Sequence, residues 1–199
     1  MISIRTKQSA AMEVEFRRTS ERRYAVIIHR NGQAPMEMNP APGYDPLMPH
    51  DLLHFIVESE LGLRQGIFGQ IAEGGTAGTF HSAASTAESN RKAARSRRRE
   101  NRRGGKLLQQ GREDSAQSER ATVICLYEWM ARSDDPVRRK LAAEMVVTVS
   151  NIRRQQSAAE SQAFSENTIK RICARMDELS AQWSALGVGQ SLTVRWKPK

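Results

Sequence analysis

The sequence predicts an α+β single domain over residues 1–199. It consists of a small antiparallel sheet (an N-terminal hairpin plus a C-terminal strand) packed with about five helices, and a flexible Arg-rich insert. Three observations predict it. "MEVEFRRT" alternates Met12, Val14 and Phe16 with Glu13, Glu15 and Arg17, the period of a half-buried strand. Ile169, Ile172, Cys173, Met176, Leu179, Trp183 and Leu186 recur at i, i+3, i+4 and i+7, the period of a helix with one buried face. "QSLTVRWKP" alternates Leu192, Val194 and Trp196, a terminal strand that needs a partner, and the N-terminal hairpin offers the available edge.

Residues 1–11 show no periodicity and read as a loose N-terminal arm, with Met12 as an alternative start. After the first strand "SERR" turns the chain, and the β-branched, apolar "YAVIIHR" makes a second, more central strand. Asn31-Gly32 is a hairpin signal, because type I′ turns need φ > 0 at both central positions. "QAPMEMN" is a third strand, confined to an edge by Pro35, and the proline-rich "PAPGYDPLMP" is irregular.

Pro49 opens a helix that runs to about residue 61 and breaks near Gly62. "RQGIFGQIAE" is a second, short helix, whose Gly66 and Gly69 permit close backbone packing. Residues 74–118 hold few core-sized side chains (Phe80, Leu107 and Leu108) and read as a flexible basic insert. Helices resume near residue 119, with Val123, Leu126, Tyr127 and Met130 on one face. Asp135-Pro136 reads as N-cap plus first helical residue. The long helix it opens continues to about residue 160, with Leu141, Met145, Val149 and Ile152 inward. Ser165 caps the last helix and Gly187 stops it.

Composition narrows the function classes. The chain has 199 residues, 39% of them hydrophobic, and a net charge of +9. No apolar run approaches the roughly 18 residues of a membrane helix. The N-terminus lacks the apolar core of a secretory signal. Cys125 and Cys173 have neither metal-binding nor redox spacing and fit small core positions, so a reducing cytosolic setting is expected and no membrane partner is. The charge is local. Residues 91–106, "RKAARSRRRENRRGGK", carry nine Lys/Arg against one Glu, which leaves 22 basic and 21 acidic residues elsewhere. Arg91, Lys92, Arg95, Arg97, Arg98, Arg99, Arg102 and Arg103 are therefore the candidate nucleic-acid contacts. No aromatic residue is interleaved to stack on bases, so binding would be to the phosphate backbone. A solvated, charged linker is the competing reading.

The candidate site is "MPHDLLHFIVESELGL", where His50, Asp51, His54 and Glu58 interrupt an apolar helix. At about 100° per residue the two histidines and Glu58 share one stripe, flanked by Leu53, Val57 and Leu61. Buried ionisable groups must be paired, coordinated or neutralised. His50 and His54 at i and i+4 have the layout of H-E-x-x-H zinc helices, with Asp51 in place of Glu, and are the candidate ligands of a divalent metal such as zinc. His50 and Glu58 lie roughly 12 Å apart along a straight helix, so a single ion takes either His50/His54 or His54/Glu58. Further ligands must come from elsewhere, with Glu73, His81, His29 and Asp45 as candidates. An open metal position would acidify a water, with Asp51 or Glu58 as base, and the same two acids are the candidates for metal-free acid/base catalysis. A third reading is a buried network: His50 bonds the proline loop, Asp51 meets the helix dipole, and His54 pairs with Glu58.

"PHDLLHFIVESELGL", "GIFGQIAEGG" and "LSAQWSALGVGQSLTVRWKP" resemble an uncharacterised family of small bacterial proteins that share P-H-D-x-x-H-F-x-V-E, an N-terminal hairpin and a Trp-containing final strand. The resemblance covers residues 12–80 and about 165–198, and implies architecture without an activity. Residues 50–54 also look like the H-D-x-x-H motif of a quinone-biosynthesis family, whose pattern has a downstream acid where Gly66 stands here.

Overall fold

The computed structural model describes residues 12–82 and 112–197. The N-terminal arm, Leu107, Leu108 and the whole Arg-rich run 91–106 lie outside the described residues. The fold is α+β. Strands β1 (Met12–Ser20), β2 (Arg23–Arg30) and β3 (Met36–Ala41) form a meander, and β5 (Ser191–Arg195) pairs with the free edge of β1. A two-residue β4 (His81–Ser82) adds to β3, giving the antiparallel order β4-β3-β2-β1-β5. Six helices are present among the described residues: α1 (His50–Leu61), α2 (Ile67–Ala72), α3 (Arg112–Ala131), α4 (Pro136–Gln155), α5 (Ala158–Ala163) and α6 (Glu166–Ser184).

The register follows from the alternation. Val14 pairs with Ile28 on one side and Val194 on the other, and Phe16 with Val26 and Leu192, so one face of three strands is apolar and buried. Helix α1 lies on that face. Phe55 stacks edge-on against Phe16, Phe68 and Trp196, at 6.1, 5.2 and 5.7 Å between ring centroids. Gly62 takes φ 67° and ends α1 with its N–H on the Glu58 carbonyl. The stripe on α6 from Ile169 to Trp183 is buried as its spacing predicts, and Ser165 caps the helix on the Thr168 N–H.

Four expectations need correcting. Strand β3 reaches into the proline-rich stretch as far as Ala41, and the β2–β3 register shifts near Pro40, which has no N–H to give the ladder. Helix α3 begins at Arg112, and Phe80 and Ser118 are buried, so both flanks of the stretch 74–118 belong to the packed body. The helix expected to reach residue 160 ends at Gln155. Ser157 and Glu160 form a reciprocal capping box that starts α5. Leu141 is 47% exposed rather than inward, because α4 buries Ala142 and Val149 and leaves the Val137–Leu141 side open. No helix among the described residues is long and apolar enough to cross a membrane.

Candidate metal centre

Helical spacing puts His50 and His54 one turn apart, with ring centroids 4.5 Å from each other. The start of the helix is fixed from the loop side. The His50 N–H donates to the Gly43 carbonyl at 3.0 Å, and Gly43 takes φ 66° with its α-carbon pressed so near that an added Cβ would lie 2.6 Å from His50 Cβ. His50 stands half-exposed at the rim, whereas His54 is 1% exposed. Helix α3 crosses α1 and brings Ser118 and Glu119 over this turn. Glu119 Oε1 lies 3.8 Å from His54 Nε2, and one ligand atom each from His50, His54 and Glu119 fall within 4.8 Å of one another.

His54 Nε2 is buried and has no hydrogen-bond partner among the described residues. Leaving a buried ring nitrogen unsatisfied costs free energy, and such an atom facing two other ligand-type groups marks a place for a cation. Burial holds the His54 pKa below its ordinary 6.5, aided by His50 and opposed by Glu119 and Asp51, so this imidazole stays neutral and keeps a lone pair. His50 shifts the other way, chiefly because the Asp51 carboxylate, 3.9 Å from its Nδ1, favours the protonated ring. Tetrahedral zinc with ligands at about 2.1 Å holds its donors about 3.4 Å apart. The exposed His50 and Glu119 side chains need to close by roughly 1 Å to reach that geometry.

The two acids of the motif lie outside this cluster. Glu58 is fully buried. Its Oε2 accepts the Phe68 N–H at 2.9 Å, and its Oε1 accepts the Ile67 N–H and the Ser118 hydroxyl, both at 3.0 Å. Glu58 therefore caps α2 from another helix and does not pair with His54; the Ser118 oxygen stands between them, 2.9 Å from His54 Nδ1. Burial pushes Glu58 up to about 7 against these three donors. Asp51 is buried and receives the Tyr24 hydroxyl, which also lies 2.6 Å from the Pro42 carbonyl. Both acids hold elements together, and neither is placed among the three clustered ligand groups.

None of the further ligand candidates joins the cluster. His29 Nε2 sits 3.0 Å from Glu15 on the open face of the sheet. Asp45 Oδ1 accepts the Leu47 and Met48 N–H groups in a turn. Glu73 is the C-cap of α2, and His81 lies on β4. A cleft of about 440 Å³ lined by Glu13, His29, Arg30 and Arg195 opens at the hairpin end, away from all residues of the histidine motif. Glu119 and Ser118 are the site residues that sequence reading missed. Their sole signal is an acid at the expected start of a helix. The eight Lys/Arg candidates for nucleic-acid contact lie outside the described residues. Cys125 and Cys173 are free thiols buried in the core, and burial raises the pKa of each. Comparison with known proteins gave no match: no family model, curated protein or solved structure aligns with the chain.

Proposed function

We propose that the protein binds a divalent metal of the zinc class through His50, His54 and Glu119. The observation that carries this reading is the buried His54 Nε2, which has no hydrogen-bond partner among the described residues and lies 3.8 Å from Glu119 Oε1, in a cluster with His50. Two imidazoles and one carboxylate suit zinc better than magnesium or calcium, which prefer all-oxygen sets. Three protein ligands leave a fourth position for water, the layout of catalytic rather than structural zinc, and metal-assisted hydrolysis is the reaction class that it fits. Asp51 and Glu58 then act as supports, with no role as base. Membership of the small bacterial family that the sequence resembles is part of the same reading, supported by the quoted motifs. So is a cytosolic setting, supported by two free buried thiols.

The test is elemental analysis of untagged protein purified without chelators, beside a His50→Ala/His54→Ala variant. Near-stoichiometric zinc, iron or manganese in the parent alone is the expected result. Metal in neither protein would sink the reading.

A second reading rests on the sequence alone: residues 91–106, with nine Lys/Arg, grip nucleic-acid phosphates. With about six contacts, affinity should drop on the order of 10³-fold between 50 and 200 mM salt. Binding that survives deletion of residues 91–106 would count against it.

A further inference from the structure

We propose that Ser118, held by Glu58, is a positioning residue that sets the tautomer of His54 and so aims its bare Nε2 lone pair at the metal position. This rests on the metal reading above and names what makes one of its ligands competent. Three contacts carry it. Ser118 Oγ lies 3.0 Å from Glu58 Oε1 and 2.9 Å from His54 Nδ1, and His54 Nε2 has no hydrogen-bond partner among the described residues.

The direction of the relay follows from proton counting. Above about pH 7 the buried Glu58 is ionised and has no proton to give, so between Ser118 and Glu58 the hydroxyl donates. The Glu58 oxygens also take the Ile67 and Phe68 N–H groups, so every donor around the carboxylate points inward. A serine hydroxyl has one proton. Once it is spent on Glu58, the Ser118 oxygen can only accept, and the one donor left to meet it is His54 Nδ1–H. A neutral imidazole protonated at Nδ1 is unprotonated at Nε2. Metal-bound histidines commonly give their other ring N–H to a carboxylate or carbonyl; here a serine hydroxyl is interposed between ring and carboxylate.

The relay also uses rigid parts. Glu58 and His54 are one turn apart on α1, Ser118 is 1% exposed on α3, and Glu119 is the next residue of the same helix. The contact that orients one ligand and the residue that supplies another thus arrive together. Without the hydroxyl, Nδ1 faces a methyl group, and the favoured partner for the ring proton becomes Glu119, which Nε2 approaches at 3.8 Å. That tautomer blocks the lone pair.

The test uses the full chain, metal-free and ¹⁵N-labelled, at about pH 8, where an unperturbed imidazole is neutral. Long-range ¹H–¹⁵N correlation reads the tautomer of each of its four histidines. Zinc affinity is measured in parallel against a competing chelator. The expected result is Nδ1–H at His54 in the parent and in Ser118→Thr, and Nε2–H in Ser118→Ala. Zinc affinity should drop about 10- to 100-fold in Ser118→Ala alone, the usual cost of removing an outer-sphere partner. Nε2–H in the parent overturns the proposal, as does a Ser118→Ala protein that keeps both tautomer and zinc affinity. If Ser118→Ala fails to fold, the parent tautomer and Ser118→Thr decide. A parent that shows Nδ1–H but takes up no zinc overturns the ligand role and the metal reading together. Zinc bound equally by all three proteins overturns the relay alone.

Discussion

The Glu58 carboxylate fills the space that a side chain on Gly66 would need. A Cβ built on Gly66 would lie 2.5 Å from Glu58 Cδ and 2.6 and 2.7 Å from its two oxygens. Gly66 has φ −65°, so its glycine is required by contact rather than by backbone conformation. The carboxylate cannot swing aside without abandoning two backbone donors and Ser118. Gly66→Ala should therefore destabilise the fold by about 1–3 kcal/mol, as overpacking does. Gly69→Ala should cost at least as much, since its Cβ would meet the Arg64 carbonyl oxygen at 2.0 Å and backbone has less room to give. Urea unfolding of both variants checks this, and a midpoint unchanged in either would refute the packing argument for that glycine.

Glu58 predicts a pH dependence. Its folded pKa is raised by burial to about 7 from an ordinary 4.5. A raised folded pKa contributes stability that is fully present below the unfolded value and is lost as pH rises through the folded one. Between about pH 4.5 and 7 the unfolded carboxyl has ionised and the buried one resists, for a total near 3 kcal/mol. His50, also raised, adds a slope of the same sign, and the lowered His54 adds one of opposite sign. Subtracting the profile of Glu58→Gln from that of the parent isolates Glu58. A difference that is flat from pH 4.5 to 7 would show that the carboxyl ionises as freely folded as unfolded.

Tyr24 fastens the sheet to the signature helix. Its hydroxyl bonds Asp51 and reaches the Pro42 carbonyl at 2.6 Å, while its ring packs edge-on to Trp183 at 5.8 Å. Tyr24→Phe keeps the ring and leaves a buried carboxylate short of its donor, which should cost about 1–3 kcal/mol. Thermal and urea unfolding read that loss. A variant as stable as the parent would mean that solvent or another donor replaces the hydroxyl.

The sheet was legible because each strand declares its own face, as Met12, Val14 and Phe16 do at period two. Asn31-Gly32 does fall in the β2–β3 connection, but only Gly32 of the pair takes a positive φ, so the turn is not type I′. The His50/His54 pair was legible for the same reason, as spacing within one helix fixes it. Ser118 and Glu119 were not. Ser118 meets His54 across 64 positions of sequence, a distance that no local period encodes, and both lie at the edge of a stretch whose composition suggested no core. Leu141 misled because apolar residues at helical spacing imply a buried face only when a neighbour is there to cover it. The break at Gln156 does carry a local signal, the capping-box spacing of Ser157 and Glu160, but helix-forming sequence on both sides of it masks the interruption.

Glu119 gives the cleanest test of the metal centre, because it is 64% exposed and its 3.8 Å approach to His54 Nε2 is beyond hydrogen-bond reach. Removing it should leave the metal-free protein within about 0.5 kcal/mol of the parent, as for most surface positions. With zinc at about a hundred times its dissociation constant, the parent gains about 2.7 kcal/mol and its melting temperature rises. Glu119→Ala at the same zinc concentration should lose most of that rise, and His50→Ala likewise. The parent's gain should also fade on acidification. The proton that zinc must displace from His50 binds above the usual imidazole pKa, because Asp51 attracts it, so the loss begins above pH 6.5. His54 adds little in that range, its own pKa being lowered by burial. An equal zinc shift in Glu119→Ala and the parent would remove Glu119 from the ligand set and leave the two histidines as a pair.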